Sequence, residues 1–355
     1  MRHMLEPVVS AAYRAQQISL MTSAMALHQT VRLVSRSRIE FERQAVMELR
    51  RRYAELLRRD LENAREGLYP RSLLFQFPYT GYARVLPTLL RELPRVLKRR
   101  SSQDYADLPP EADAERYPAY FRRNFHWQTD GYFSRYSASL YDAGVELLFM
   151  GTADVMRRQI IPPITQFLRD ESPGRARLLD IACGTGRGLH QLAITHPQLR
   201  YYGVDISPYY VQQARELLSE FADVSLVVEN AESLPFVSNH FDIVTSIYLF
   251  HELPKDVRRR VMREAYRVLR PGGLLVFKDS GQLSDSSDVA FFFERFAHDF
   301  HEPYYKGYLR DDLEGALAEV GFDVGRVETH LVSKLVVAKK PRAPRKAGPG
   351  AAAGA

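Results

Sequence analysis

Residues 178–188 read LLDIACGTGRG, a short apolar run that breaks into a glycine-rich turn. The apolar residues predict a buried β-strand, and the segment after the turn has the pattern of a helix. Glycine leaves the backbone bare, so a ligand can lie against it, and the N-terminus of the following helix offers N–H groups to a carboxylate. The stretch therefore predicts a strand, a ligand-binding turn and a helix in succession.

The next predicted strand ends in an acidic residue, Asp205, within the run YGVDI at residues 202–206. In strand–turn–helix units of this kind, an acid at that position accepts hydrogen bonds from both hydroxyls of a ribose. A glycine turn followed by a ribose-binding acid indicates that the chain binds a nucleoside.

Two kinds of nucleoside cofactor use this arrangement, and the glycine spacing separates them. The dinucleotide fingerprint requires a third glycine three residues after the second. Counted from Gly186, that position is Leu189. The glycines of the turn, Gly184, Gly186 and Gly188, therefore do not fit a nicotinamide or flavin site.

The stretch resembles instead the first motif of class I S-adenosylmethionine-dependent methyltransferases, and the resemblance covers residues 140–338. Three later stretches follow in the family's order, similar to its adenine-binding segment (NAESLPF, 230–236), its fourth strand and exit loop (241–254), and its turn into the fifth strand (RPGGLLVF, 270–277). The resemblance implies an α/β fold with a Rossmann-like, mostly parallel seven-stranded sheet that ends in an antiparallel hairpin.

The resemblance also implies S-adenosylmethionine as the cofactor and assigns residues to its parts. The family commonly has an acid where this chain has Asn230, whose side-chain carbonyl can still accept a hydrogen bond from the adenine amino group. The implied binding residues are Asp180, Ala182, Gly184, Thr185 and Gly186 at the methionine end, Asp205 at the ribose, and Ile206, Asn230, Ala231 and Glu232 at the adenine.

Two residues are candidate catalytic groups on the acceptor side. His251 follows the fourth strand, and an unperturbed imidazole titrates near neutrality, so it can serve as a general base; a histidine of the pocket wall is the alternative. Asp279 ends the fifth strand, where the family often contacts its substrate, whereas Glu252 is also explained as a cap of the next helix. Transfer from a sulfonium needs mostly alignment in a water-poor pocket.

The sequence predicts no metal site. Histidines and carboxylates cluster at residues 298–302 (HDFHE), but neighbouring ligand types without a second cluster usually form a polar loop. The single cysteine, Cys183, excludes a disulfide within the chain and a zinc site made of several cysteines. Because it lies inside the cofactor turn, we expect it to be a small packed residue.

The composition divides the chain into five predicted parts. They are a basic amphipathic helical region (1–100), a polar linker (101–116), an aromatic-rich helical lead-in or lid (117–176), the cofactor-binding domain (177–338), and a basic tail (339–355) that is too poor in apolar residues to order. Within the domain, apolar runs predict strands at residues 177–182, 201–205, 225–228, 241–247, 274–278, 323–328 and 331–338.

Positive charge is concentrated at the N-terminus: residues 1–100 hold 19 Lys and Arg against 9 Asp and Glu, and residues 101–338 hold 25 against 34. Clustered arginine binds nucleic acid or an anionic membrane surface, and a solvated helix face is the alternative. No apolar run approaches the roughly 18 residues of a membrane span, and residues 1–20 lack the apolar core of a signal peptide. We expect a cytoplasmic protein with peripheral membrane contact through its N-terminal helices; an amphipathic arm also suits a homodimer.

Three functions remain open. The first is methylation of a hydrophobic small molecule or lipid, since the adenine segment and the exit loop resemble the branch that methylates quinones, sterols and other lipids. The second is methylation of nucleic acid such as RNA, although residues 247–250 lack the Asn- or Asp-Pro-Pro-aromatic run of amino-group methylases. The third is a cofactor-binding assembly partner without catalysis. One fold hosts many acceptors, so the sequence leaves the acceptor atom open.

Overall fold

The computed structural model describes residues 2–35, 43–171 and 174–342. Helices alone make up the first third of the chain, and helices alternate with strands from residue 177 onward. The helices of the described part are α1 (Arg2–Ser35), α2 (Arg43–Arg65), α3 (Tyr79–Ser102), α4 (Arg135–Leu148), α5 (Ala153–Arg157), α6 (Ile161–Glu171), α7 (Arg187–Thr195), α8 (Pro208–Leu217), α9 (Lys255–Val268), α10 (Ala290–Asp299), α11 (Tyr305–Tyr308) and α12 (Leu313–Val320).

One seven-stranded sheet organises the second half of the chain, with the strand order β3-β2-β1-β4-β5-β7-β6. Its strands are β1 (Arg177–Ile181), β2 (Arg200–Asp205), β3 (Val224–Val228), β4 (Phe241–Ile247), β5 (Leu269–Ser280), β6 (Asp323–His330) and β7 (Ser333–Lys339). The first five strands run parallel, and β7 is antiparallel to both of its neighbours. The predicted fold class is confirmed, including the terminal antiparallel hairpin.

Apolar side chains cover both faces of the sheet, which explains why its central strands read as continuous hydrophobic runs. Along β1, Leu178 points into one core and Leu179 and Ile181 point into the other. The first core is closed by α6, α7 and α8, and the second by α9 and α12. Because helices cover both faces of the sheet, a ligand binds at the edge formed by the carboxyl ends of the strands.

The fifth and sixth strands are longer than the sequence predicts, and the seventh begins and ends later in the chain. The fifth strand extends from Leu269 to Ser280, so it includes the turn that precedes the predicted run. The predicted disordered tail begins inside β7, whose last residue is Lys339. The next residue, Lys340, donates hydrogen bonds to Asn239 and to the backbone oxygens of Tyr266 and Leu269. Residues 343–355 of the predicted tail lie outside the described residues.

The N-terminal helices pack against the sheet domain through a buried ion pair. Asp60 of α2 is fully buried and accepts hydrogen bonds from the Arg158 guanidinium, with Nε at 2.6 Å. The hydroxyls of Tyr13 in α1 and Tyr69 after α2 donate to the same carboxylate. Because every partner lies on a different segment, this carboxylate joins both helices to the residues that precede α6.

Arginines of α2 lie against carboxylates of the same chain. Arg52 pairs with Asp288 at 2.6 Å, and Arg59 pairs with Glu328 of β6 at 2.5 Å. Arg58 pairs with two glutamates on its own helix. Several arginines of α2 therefore have carboxylate partners within the chain. No helix in the ranges given above is long and apolar enough to cross a membrane.

Removal of the buried carboxylate should destabilise the protein strongly. We expect Asp60→Ala to lower the free energy of unfolding by about 3–5 kcal/mol, because Arg158 would keep a buried charge without a partner. Denaturant unfolding followed by circular dichroism measures this loss. Glu62→Ala, on the exposed face of the same helix, is the matched control and should leave the transition midpoint unchanged. An equal effect of both substitutions would contradict the proposed role of Asp60.

Candidate active site

A cleft opens at the carboxyl ends of β1, β2, β3 and β4. Its empty volume is about 1080 Å³, including the open mouth. The strand order reverses between β1 and β4, and a crevice at such a reversal is the usual ligand site of an open α/β sheet. Segments from the strand ends line one side, and residues 120–141 line the other.

The glycine turn between β1 and α7 forms the floor of the cleft. Gly184 has a φ of 54°, and a Cβ added there would meet no atom within 4 Å, so the space in front of it is free for a ligand. Gly186 has a φ of 83° and packs close to Ala214, where a Cβ would lie 3.0 Å from that side chain. Thr185 donates a hydrogen bond of 2.8 Å to Asp142 of α4, which ties the turn to the preceding helices.

Asp205 is held at the end of β2 by backbone donors. Its Oδ2 accepts from the amide of Gly184 and its Oδ1 from the amide of Ser207, both at 2.9 Å. Burial raises the pKa of Asp205 to about 6, although these amides favour the ionised form and oppose the shift. The carboxylate therefore faces the cleft beside the glycine turn, at the position predicted to bind a ribose.

Asp180 is the second acid of this end of the cleft. Burial raises its pKa to about 7, a hydrogen bond of 2.7 Å from Thr245 lowers it, and the negative charge of Asp205 raises it. Asp180 and Ala182 both line the cleft next to the glycine turn. The residues predicted for the methionine end and the ribose thus lie together around one space.

The predicted adenine side is only partly as expected. Ile206, Asn230 and Ala231 line the cleft, whereas Glu232 is not among the lining residues. The carboxylate of Glu232 instead accepts hydrogen bonds from Tyr120 and Arg260, each at 2.6 Å.

Local hydrogen bonds also determine which polar groups are free to face the cleft at the predicted adenine side. The side-chain oxygen of Asn230 accepts from the backbone amide of Glu232 at 2.9 Å, so it is already engaged. The acid that lines the cleft here is Glu229, which the sequence analysis missed. Its place directly after the predicted third strand was the signal that could have found it.

Aromatic rings form the opposite end of the cleft. The rings stack or meet edge to face at centroid distances of 5.2–6.1 Å; most of them come from the predicted lead-in or lid (117–176), and Tyr210 comes from α8. Ser207 donates a hydrogen bond of 2.6 Å to the backbone oxygen of Tyr132, which fixes this segment to the end of β2. The aromatic lining residues are Tyr120, Phe121, Phe125, Tyr132, Tyr141, Tyr210 and Tyr248.

The two catalytic candidates lie behind the wall of the cleft. Neither His251 nor Asp279 is among its lining residues, and both are buried. His251 Nδ1 lies 2.6 Å from Asp279 Oδ1. Burial lowers the pKa of His251, but the carboxylates of Asp279 and Glu302 outweigh burial and raise it to about 10.

The acid that reaches the cleft at this point is Glu252. Its Oε1 accepts a hydrogen bond of 2.6 Å from Tyr132, and burial together with the charge of Glu302 raises its pKa to about 7. The sequence analysis considered this residue only as a helix cap or as one of several acids near the acceptor. In the structure it lines the cleft and is hydrogen-bonded to one of the aromatic rings there.

Comparison with known proteins identifies the domain. Residues 178–273 match a family model described as a methyltransferase domain. A ubiquinone/menaquinone biosynthesis C-methyltransferase from Desulfotalea psychrophila is 30% identical over 143 residues, covering 40% of this chain and 54% of the relative. A demethylmenaquinone methyltransferase from Anoxybacillus flavithermus is 37% identical over 109 residues, covering 30% and 45%.

A third relative has a different kind of acceptor in its name. The malonyl-[acyl-carrier protein] O-methyltransferase from Geobacter sulfurreducens is 28% identical over 185 residues, covering 49% of this chain and 68% of the relative. The chain spans about half the length of the two quinone-pathway relatives that it matches. The likeness therefore concerns the cofactor-binding domain.

Cofactor binding should depend on the ionisation of Asp205. We expect the affinity for S-adenosylmethionine to fall about tenfold per pH unit below a pH of about 6, because the protonated carboxyl no longer accepts both ribose hydroxyls. Calorimetric titration between pH 5 and 8 measures this; in Asp205→Asn the affinity should be at least about tenfold weaker and should fall less steeply with decreasing pH, because only Asp180, with a pKa of about 7, still titrates.

Asp223→Asn, an exposed residue before β3, is the control and should behave as the wild type. An unchanged pH dependence in Asp205→Asn would assign the titration to Asp180 and contradict the role given to Asp205.

Proposed function

We propose that this chain, which carries a class I S-adenosylmethionine-dependent methyltransferase domain, methylates a hydrophobic small molecule or lipid. One observation carries the proposal: the cleft has a polar end built from the glycine turn and two carboxylates, and an aromatic end built from residues 120–141. The polar end suits the cofactor, and the aromatic end suits an apolar acceptor.

The polar end fits the cofactor in shape and in charge. The open space in front of Gly184 leaves room for a ligand against bare backbone, and Asp205 is oriented by two amides before any ligand binds. When bound, S-adenosylmethionine supplies a methyl group on a positively charged sulfur. Asp180 and Asp205 place two carboxyl groups at this end of the cleft, which favours a cationic ligand.

The aromatic end determines what the acceptor can be. Phe121, Phe125, Tyr132 and Tyr141 present ring surfaces to the cleft, and such apolar surface disfavours water. Water exclusion and alignment are the main requirements for transfer from a sulfonium. Glu252 lies among the rings as a polar group that can orient a hydroxyl or a ring oxygen of the acceptor.

The named relatives support this class of acceptor. Two of them carry names from quinone biosynthesis, and one is named for a malonyl group attached to a carrier protein. A quinol with an apolar tail has a flat ring and a hydroxyl group. The flat ring suits the aromatic rings of the cleft, and the hydroxyl suits the carboxylate of Glu252. Methylation of RNA is less favoured, because arginines of α2 pair with carboxylates of the chain.

A membrane surface is the proposed source of the acceptor. Helix α3 exposes Tyr79 and Leu90 at 47% and 44% of their surface, and eleven residues bring both to the same side of the helix. Arg84 and Arg91 are also exposed on α3. An apolar strip beside arginines is the pattern by which helices lie in an anionic membrane surface.

Truncation of the aromatic end should weaken acceptor binding selectively. With a labelled cofactor and a prenylated hydroquinone, we expect methyl transfer to the lipid and not to RNA or acyl-carrier protein. Phe125→Ala should raise the KM for the lipid at least about tenfold, because the variant loses apolar contact area, with an unchanged Kd for the cofactor. Phe133→Ala is the matched control, since this ring is equally buried in the same cluster but does not line the cleft. Cofactor binding without transfer to any acceptor would favour an assembly partner instead.

Membrane contact should depend on the exposed face of α3. We expect the protein to float with vesicles that contain phosphatidylglycerol and to remain in solution with vesicles of phosphatidylcholine alone. Leu90→Asp should reduce the bound fraction at least about fivefold, since a charge at the apolar face opposes insertion. Val237→Asp, at an exposed loop residue of the domain, should bind as the wild type. Equal flotation of both variants would exclude α3 as the contact.

A further inference from the structure

We propose that His126, His251, Glu252 and Glu302 bind one divalent transition-metal ion beside the aromatic end of the cleft. One ligand atom of each side chain lies within 4.8 Å of those of the other three. The residues come from three separate segments: the turn Phe125–Trp127, the turn Phe250–Glu252, and the loop after α10. A local sequence pattern therefore could not reveal the site.

One distance within the cluster equals the spacing of two ligands of a common ion, and one is shorter. His251 Nε2 lies 3.9 Å from Glu302 Oε1, too far for a hydrogen bond, and His126 Nε2 contacts the same oxygen. Ligands that bind one ion at about 2.0–2.2 Å lie roughly 3–4.4 Å apart. All four ligand atoms lie within 4.8 Å of one another, so small side-chain movements that separate His126 from Glu302 would place them around one ion.

Glu302 provides an independent observation. Its side chain is completely buried; Oε1 contacts the imidazole of His126 without hydrogen-bond geometry, and Oε2 has no hydrogen-bond partner among the described residues. A buried carboxylate without hydrogen bonds is costly, so natural proteins rarely keep one without a ligand. A metal ion among these four side chains would bind the oxygens of Glu302.

Neighbouring groups orient the proposed ligands, as in known metal sites. Asp279 accepts hydrogen bonds of 2.7 Å from the amides of Phe250 and Ser280, and it holds His251 through Nδ1 at 2.6 Å. The other nitrogen, Nε2, is thereby left to face the cluster. Tyr132 orients Glu252 in the same way, through its hydroxyl at 2.6 Å.

The backbone around His126 is held in an unusual conformation. His126 and Trp127 have φ values of 55° and 59°, in the left-handed region that residues other than glycine seldom adopt. The indole of Trp127 donates a hydrogen bond of 3.1 Å to the backbone oxygen of Asp299. This contact joins the turn of His126 to the loop of Glu302 and brings the two ligands together.

The donor set indicates the class of metal. Two imidazole nitrogens with two carboxylates suit zinc, iron, manganese or cobalt, whereas magnesium and calcium prefer oxygen ligands alone. Of the four ligands only Glu252 lines the cleft, so the ion would lie behind the cleft wall and hold the Glu252 carboxylate in place beside the acceptor. This role in the reaction rests on the proposed function, whereas metal binding itself does not.

Metal titration of the full-length protein tests the site without any acceptor. After removal of metals with a chelator, we expect one equivalent of cobalt(II), zinc(II), iron(II) or manganese(II) to bind per chain, with cobalt giving visible absorption bands. Magnesium should not compete. His126→Ala and Glu302→Gln should weaken cobalt binding at least about 100-fold while S-adenosylmethionine binding is retained.

Matched controls are His240→Ala and Glu294→Gln, which lie outside the cluster and should bind cobalt as the wild type. If the wild type binds no metal, or if both ligand variants bind cobalt as tightly as the controls, the cluster consists of histidine–carboxylate ion pairs and the proposal is wrong. The cobalt spectrum of the wild type decides the question even if a ligand variant fails to fold. Loss of methyl transfer with intact cobalt binding would overturn the proposed function alone.

Discussion

The cleft depends on the hydrogen bond between the amide of Gly184 and the carboxylate of Asp205. The glycine turn follows β1 and the acid ends β2, so the bond can form only because these strands are parallel neighbours in register. It fixes two ligand-binding elements relative to each other before the cofactor arrives. The two acids Asp180 and Asp205 are buried nearby, which raises the pKa of both, so cofactor binding and proton binding compete at the same carboxylates.

The strand edge supplies only half of a cleft, and the helical first part of the chain supplies the other half. Residues 120–141 reach the cleft because α4 is tied to the glycine turn through Asp142 and because Ser207 holds the backbone of Tyr132. The long helices behind them are joined to the domain by the buried pair of Asp60 and Arg158. The aromatic wall therefore belongs to one packed unit with the sheet, and its rings are positioned without a ligand.

The sequence predicts the sheet well because parallel strands covered on both faces leave continuous apolar runs between turn residues. The run around Leu178 and the turn at Gly184 show this most clearly. Strand ends are predicted less well: β7 continues to Lys339 because Lys340 meets backbone oxygens of other segments, a contact that composition does not encode. The polar groups at the adenine side also depend on contacts that composition does not encode. The side-chain oxygen of Asn230 accepts a hydrogen bond from the amide of Glu232, and Glu229 lines the cleft.

The acceptor side could not be predicted from sequence, because its chemistry depends on contacts between distant segments. From its neighbours along the chain, His251 is a candidate general base. In the structure, Nδ1 of His251 is paired with the carboxylate of Asp279, which lies 28 residues further along the chain. The sequence predicts that Glu302 belongs to a polar loop. The fold places it in contact with His126, which lies far from it along the chain. A histidine whose one nitrogen is held by a carboxylate presents the other in a fixed direction. Because His251 does not line the cleft, its imidazole is placed to act within the cluster of His126, Glu252 and Glu302 and not directly on the acceptor.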